Sequence, residues 1–151
     1  MTPEEITRHF HLKIPISREM GLRVTEVSSK HAVVAVPLAP NINHVQTVFG
    51  GSLYAAAALS CYALFQALSR EAGGLSDELV IQEGGIRYLA PVDADFTVRA
   101  EMAEEKGGEK FIEALQRYGK ARMKLKATVI CKGRTCAEFS GVYVFKGSKG
   151  S

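Results

Sequence analysis

Residues 40–65, PNINHVQTVFGGSLYAAAALSCYALF, hold the side chains best suited to chemistry. A polar loop with Asn41, Asn43 and His44 leads into Phe49-Gly50-Gly51-Ser52, and no charge follows until Arg70. Groups of this kind stabilise an electron-rich oxygen. Asn43 offers an amide donor. The backbone N–H groups of Gly50, Gly51 and Ser52 open a predicted helix, where they lack intrahelical partners and carry the positive end of its dipole. Glycine lets a substrate approach that backbone closely. Donors fixed before reaction favour an oxyanion as it forms. The helix itself supplies no acid or base, and only Ser52, Ser60 and Cys61 as conceivable nucleophiles.

Each residue also fits a plain structural role. Loop asparagines such as Asn41 and Asn43 commonly tie a turn through side-chain–backbone bonds. Gly50-Gly51 equally suits close helix–sheet packing. His44 is either a carboxylate partner or a surface loop residue, and Ser60, Cys61, Tyr54 and Tyr62 fit a packed helix. Glu83, beside Gly84-Gly85 in a predicted strand, is a rival base able to activate water. Its alternative is a solvent-facing residue paired with Arg87, which in turn either binds a carboxylate or neutralises Glu83.

The elements that must position these residues follow from periodicity. Thr2 as N-cap, Pro3 and Glu4-Glu5 predict a short helix over residues 3–12. PISREMG predicts a further helical turn stopped by Gly21, so residues 3–20 form an N-terminal helical segment. LRVTEVS and HAVVAVPL alternate as strands about a Ser28-Ser29-Lys30 turn. A helix runs from about Val48 to Glu71 and ends at Gly73-Gly74. It is apolar nearly all round, hence buried on most sides. ELVIQEGGIRYL and DFTVRAEMA are strands around Ala90-Pro91-Val92. EKFIEALQRYGK fits a helix or an irregular excursion, and RMKLKATVICKG with RTCAEFSGVYVFKG forms a long hairpin. Two strands, a buried helix and four strands make an α+β protein in which an antiparallel sheet curves around one helix. The domain spans residues 1–146, with 147–151 as a flexible tail.

Composition narrows the classes. A chain of 151 residues, 46% hydrophobic and 23% charged, suits one globular domain with an ample core. The formal charge of +3 gives no argument for nucleic acid. Arg117, Lys120, Arg122, Lys124, Lys126, Lys132 and Arg134 nevertheless form a basic stripe without acids, which attracts an acidic partner or is simply a solvated strand face. The polar start, MTPEEITRHF, has no signal-type stretch, and the run after Gly51 is too short and Ala-rich for a bilayer span. Cys61, Cys131 and Cys136 give neither a disulfide framework nor metal spacing. The expectation is a cytoplasmic protein with no metal and no cofactor.

The layout, with PNIN…TVFGGSLYA and IRYLAPV, resembles the hotdog fold of acyl-thioester enzymes over Ile14 to Phe145. IPIS, APNIN, IRYLAPV and the G-V-Y-V run resemble more narrowly the subgroup related to the C-terminal domain of the protein YiiD, whose members include malonyl-acyl carrier protein decarboxylases. Many hotdog thioesterases read H-G-G at the helix start and place an Asp or Glu about two and a half turns later. Phe49 stands where that His would be, and Ala58 falls near the expected acid. The loop asparagine matches at Asn43 and the glycines at Gly50 and Gly51.

That departure suits decarboxylation of a malonyl thioester. Loss of CO2 leaves an enolate on the thioester oxygen, which needs donors but no nucleophile or activated water. An apolar wall favours neutral CO2 over the carboxylate, whereas a helix carboxylate would repel the substrate. The resemblance thus implies Asn43, Gly50 and Gly51 as catalytic groups, with His44, Phe49, Ser52, Glu83 and Arg87 binding substrate. It implies malonyl-acyl carrier protein or malonyl-CoA as substrate, an acetyl thioester that primes fatty-acid synthesis as product, and a homodimer or a pair of such dimers. A thioesterase using Glu83 or an Asn43-held water, and a non-catalytic acyl-carrier-binding module, are the alternatives.

Overall fold

Every second residue of Lys120–Cys131 is buried, from Ala121 through Met123, Leu125, Ala127 and Val129 to Cys131. That period lays one face of a strand on a core and leaves the cations on the other. The computed structural model describes residues 2–71 and 79–146. Its strands are β1 (Arg23–Val27), β2 (His31–Val36), β3 (Leu79–Tyr88), β4 (Phe96–Met102), β5 (Lys120–Cys131) and β6 (Arg134–Lys146). They form one sheet in the order β1-β2-β4-β5-β6-β3, antiparallel at every step. Helix α3 (Gly50–Glu71) lies on its inner face. This is the curved-sheet, central-helix α+β architecture expected from the pattern of apolar residues.

Alanines let α3 approach the sheet closely: Ala56, Ala57 and Ala63 are fully buried, beside Leu53, Leu64 and Leu68. The buried Ser60 and Ser69 hydroxyls donate to Ala57 O (2.7 Å) and Gln66 O (3.1 Å), so neither needs a partner outside the helix. From β6, Tyr143 donates to Ala58 O at 3.0 Å and pins the helix to the sheet. Although α3 has the length and apolarity of a membrane span, most of that window is buried within the protein.

The N-terminal helices α1 (Pro3–Lys13) and α2 (Pro15–Glu19) cover the β1 side. Thr2 and Glu5 form a reciprocal capping box at the start of α1. The Thr7 hydroxyl accepts from Val24 N at 2.9 Å, and His11 Nε2 lies 2.7 Å from Leu22 O. The segment open to two readings is a helix, α4 (Gly107–Tyr118), closed by Gly119 in the left-handed region at φ 70°. Its Phe111 packs edge-on against Phe65 of α3 and touches Phe145 of β6. This helix, the first of the two readings, covers the C-terminal part of α3. The predicted Gly73-Gly74 stop and the 147–151 tail lie outside the described residues.

On the inner face of β3, Gly84 pairs with Gly141 of β6. The notch between them receives Tyr54 of α3, whose ring meets Phe139 edge-on at 5.2 Å. A Cβ on Gly84 would land on the Tyr54 hydroxyl. Gly84→Ala should therefore destabilise the protein by roughly 1–3 kcal/mol through overpacking. Adding Tyr54→Phe should restore part of that loss, as thermal denaturation of the single and double variants would show.

Cys61 is fully buried on α3, and burial pushes its thiol up to about 12 from 9.0. Burial likewise raises the phenols of Tyr62 and Tyr143. The thiol is therefore protonated at neutral pH and unsuited to nucleophilic attack. Cys61 should resist iodoacetamide at pH 8 in the native protein and react once unfolded, as peptide mass mapping would reveal. The sign of the linkage also follows. The raised pKa contributes stability present in full below pH 9.0, lost as pH rises towards about 12.

Candidate functional site

The loop before α3 is built by its asparagines. Asn41, buried, donates from Nδ2 to Met20 O (2.9 Å) and Pro37 O (2.8 Å), and its carbonyl accepts from Phe49 N at 2.8 Å. It thus joins α2, the end of β2 and the start of α3. Asn43 Oδ1 accepts from Val45 N and Thr47 N, each at 3.0 Å, while Nδ2 donates to Thr47 Oγ1 at 2.9 Å. Asn43 N also donates to Thr47 O at 2.7 Å. Both asparagines therefore perform the loop-tying role that residue type suggested. Asn43 retains one amide hydrogen without an acceptor among the described residues. His44 stands exposed in the same turn.

The helix start is more exposed electrically than it is sterically. Gly50 N–H and Gly51 N–H have no acceptor among the described residues, as expected for the first turn. Ser52 departs from that expectation, because its N–H donates to Phe49 O at 2.9 Å. That carbonyl also accepts from Leu53 N at 3.2 Å, so Phe49 closes the first turn over Ser52. The Phe49 ring folds back over Gly51, where a Cβ would strike the ring edge. A side chain at position 51 would displace that ring.

Gly51 lies where two clefts meet. One, of about 340 Å³, is lined by Ile16, Met20, Phe49, Gly51, Ser52 and Ala55, with Glu19 at its wall. Through Ile16 and Ala55 it adjoins a larger apolar cleft of about 570 Å³ between α1–α2 and α3. Ala58, at the expected position of a helix acid, lines this larger cleft together with Leu59, Tyr62 and Phe65. The other cleft, of about 480 Å³, is walled by Thr47, Gly50, Gly51, Leu53 and Tyr88. Tyr88 crosses from the end of β3 to donate its hydroxyl to Gly50 O at 2.9 Å.

Strand register turns Glu83 and Arg87 away from Gly51 of their own chain. Glu83 faces Val142, which faces Lys124, and Arg87 faces Glu138, which faces Thr128. These positions share the outer face of the sheet, whereas Gly84 and Tyr88 share the face of α3. Glu83 and Arg87 are therefore turned away from Gly51 within the same chain. One residue of slippage at the bulge between Ile81 and Glu83 decides this, which alternation alone did not reveal.

Three site residues escaped the sequence reading. Thr47 is fixed by Asn43, and Tyr88 reaches the helix start from a strand that is distant in sequence. Glu19 brings a carboxylate to the Gly51 cleft, although Arg18 Nε pairs with it at 3.2 Å. A loop threonine, an exposed strand tyrosine and a helix-surface glutamate have no distinguishing signal in one sequence. The basic stripe is present on the outer face at Lys120, Arg122, Lys124 and Lys126. It is partly neutralised, with Lys126 at 3.9 Å from Glu101 and Lys132 at 3.1 Å from Asp93.

Comparison with known proteins agrees with this architecture. The family model described as "Putative thioesterase (yiiD_Cterm)" matches residues 3–147. A Shewanella oneidensis protein solved under the same thioesterase description is 30% identical, with a TM-score of 0.85 over 95% of this chain and 96% of that one. A protein of unknown function from Chlorobaculum tepidum is 29% identical, with a TM-score of 0.86 over 96% and 94%. A Pseudomonas aeruginosa protein described as "Probable Thioesterase", 23% identical with a TM-score of 0.78 over 96% of each chain, shares the fold. The chain belongs to the YiiD C-terminal-domain family of hotdog-fold, thioesterase-like enzymes.

Proposed function

We propose that the protein decarboxylates a malonyl thioester, carried by acyl carrier protein or coenzyme A, to the acetyl thioester. The observation that carries this reading is the uncharged face that α3 turns to the site. Ala58 occupies the expected acid position, Phe49 the expected histidine position, and Glu83 is turned to the opposite face. The Gly50 and Gly51 amides, open and at the positive end of α3, receive the thioester oxygen and hold the enolate charge. Thr47 Oγ1, on the wall of the Tyr88-side cleft, is already an acceptor for Asn43, which leaves its own proton to donate there. Asn43 therefore acts through Thr47 and through its remaining amide hydrogen. The malonyl carboxylate leaves as CO2 against Phe49 and Ala55, where an anion is poorly solvated and a neutral product is not.

Thioester hydrolysis is the second reading, favoured by the family description and by the cleft of about 570 Å³, which is more than a malonyl group fills. Glu19 is then the water-activating group, in place of Glu83. The protein incubated with malonyl-acyl carrier protein should lose CO2 with the thioester intact, as intact-mass measurement reads directly. Free carrier thiol would select hydrolysis, and unchanged substrate would select a carrier-binding module. Asn43→Asp keeps the Oδ1 bonds of the loop but loses the donors. It should cut CO2 release by roughly 10²–10³ with the fold retained; near-normal release would sink the assignment.

The sheet edges support a proposal for the assembly. β1 is covered by α1, but β3 pairs only with β6 among the described residues and leaves Val80, Tyr88 and Leu89 exposed. An open edge of this length invites a second copy. We propose a homodimer joined along β3, or a pair of such dimers, with the basic face of β5 steering an acidic carrier by its field. Sedimentation should give twice or four times the chain mass, and Ile81→Pro in β3 should shift it to the monomer.

A further inference from the structure

The hydroxyl of Tyr88 is spent on a backbone carbonyl that has no need of it. Gly50 O is in the first turn of α3, where the residue four positions on, Tyr54, already supplies a helical donor. A second donor from β3 reaches the same oxygen at 2.9 Å. The approach is built into the sequence at both ends. A Cβ on Gly50 would stand 3.2 Å from the Tyr88 hydroxyl and 3.3 Å from its ring carbon Cζ, so glycine keeps the contact open. The strand end that carries Tyr88 is braced as well. Leu89 N and Ala90 N both donate to Cys136 O, at 2.8 and 3.1 Å, and Val48 N donates to Val92 O at 2.8 Å.

We propose that Tyr88 is a positioning residue that aims and strengthens the Gly51 amide. Gly50 C=O and Gly51 N–H belong to one planar, trans peptide, so they point in opposite directions and turn together. Holding the carbonyl from β3 therefore fixes the line along which the Gly51 N–H leaves the helix. That N–H has no acceptor among the described residues, and Gly51 borders both clefts. A bond accepted by the carbonyl also polarises the peptide and makes its N–H a better donor. Tyr88 thus pre-organises the oxyanion site from outside it, and it links the end of the β3 edge strand to the helix start.

This role rests on the reading that Gly51 receives the thioester oxygen, but not on whether CO2 loss or hydrolysis follows. Tyr88→Phe keeps the ring against Gly50 and removes only the hydroxyl. In steady-state assays of whichever thioester reaction the wild-type protein performs, kcat should fall about 5- to 50-fold, less than for loss of a direct donor. KM and the melting temperature should stay close to wild type. Amide NMR without substrate supplies the separate readout: the Gly51 ¹⁵N signal should move upfield, while Gly119, remote from the site, stays in place. A Gly51 signal that does not move overturns the link between Tyr88 and this peptide. A moved signal with unchanged kcat overturns the role too, and places the failure in the assignment of Gly51 as the oxyanion donor. A loss confined to KM would make Tyr88 a substrate contact and overturn the positioning role.

Discussion

A helix buried on most of its sides cannot leave its first amides to bulk water on every side, and α3 solves that constraint only in part. Ser52 and Leu53 turn to the Phe49 carbonyl, whereas Gly50 and Gly51 stay open at the junction of two clefts. The dipole of a 22-residue helix ends at that point. Everything around it is arranged to hold the opening steady. Asn41 joins the incoming loop to α2 and β2, Asn43 closes the turn that carries Thr47, and Tyr88 fixes the first peptide from β3.

The sheet serves the same end. The helix with its buried alanines packs mainly on β2, β4 and β5, and Tyr143 of β6 binds Ala58 O midway along it. Gly84 admits the Tyr54 ring against β3, which constrains the rotation of α3 about its axis. That rotation decides which helix side chains face the apolar cleft. Ala55, Ala58, Leu59 and Tyr62 face it, and none is charged. The electrostatic character of the site is therefore a consequence of packing as much as of sequence.

Much of this was legible in the residues. Alternation in β5 and β6, the apolar helix and the capped N-terminal helix each follow from short-range periodicity, and each forms as expected. The glycines at the head of α3 were legible because their position leaves donors open. Other features depended on contacts between distant segments. The Asn43–Thr47 bond, the reach of Tyr88 over 38 residues and the bulge that turns Glu83 outward are set by register and loop closure. Ser52 was misread for a local reason: the first turn tightened and gave its amide an acceptor.

The absence of a carboxylate at Ala58 bears on mechanism only in combination with the apolar cleft it lines. A hydrolase needs one group to activate water close to a carbonyl. Glu19 is the carboxylate at the Gly51 cleft wall, and it is exposed and paired with Arg18. A decarboxylase needs the reverse: open donors for the enolate oxygen and a surface that favours neutral CO2 over an anion. In the proposed reading the Gly50 and Gly51 amides are those donors, and Phe49 with Ala55 is that surface. Under the proposed reading, an uncharged helix face combined with open N-terminal donors is what separates decarboxylation from hydrolysis on this fold.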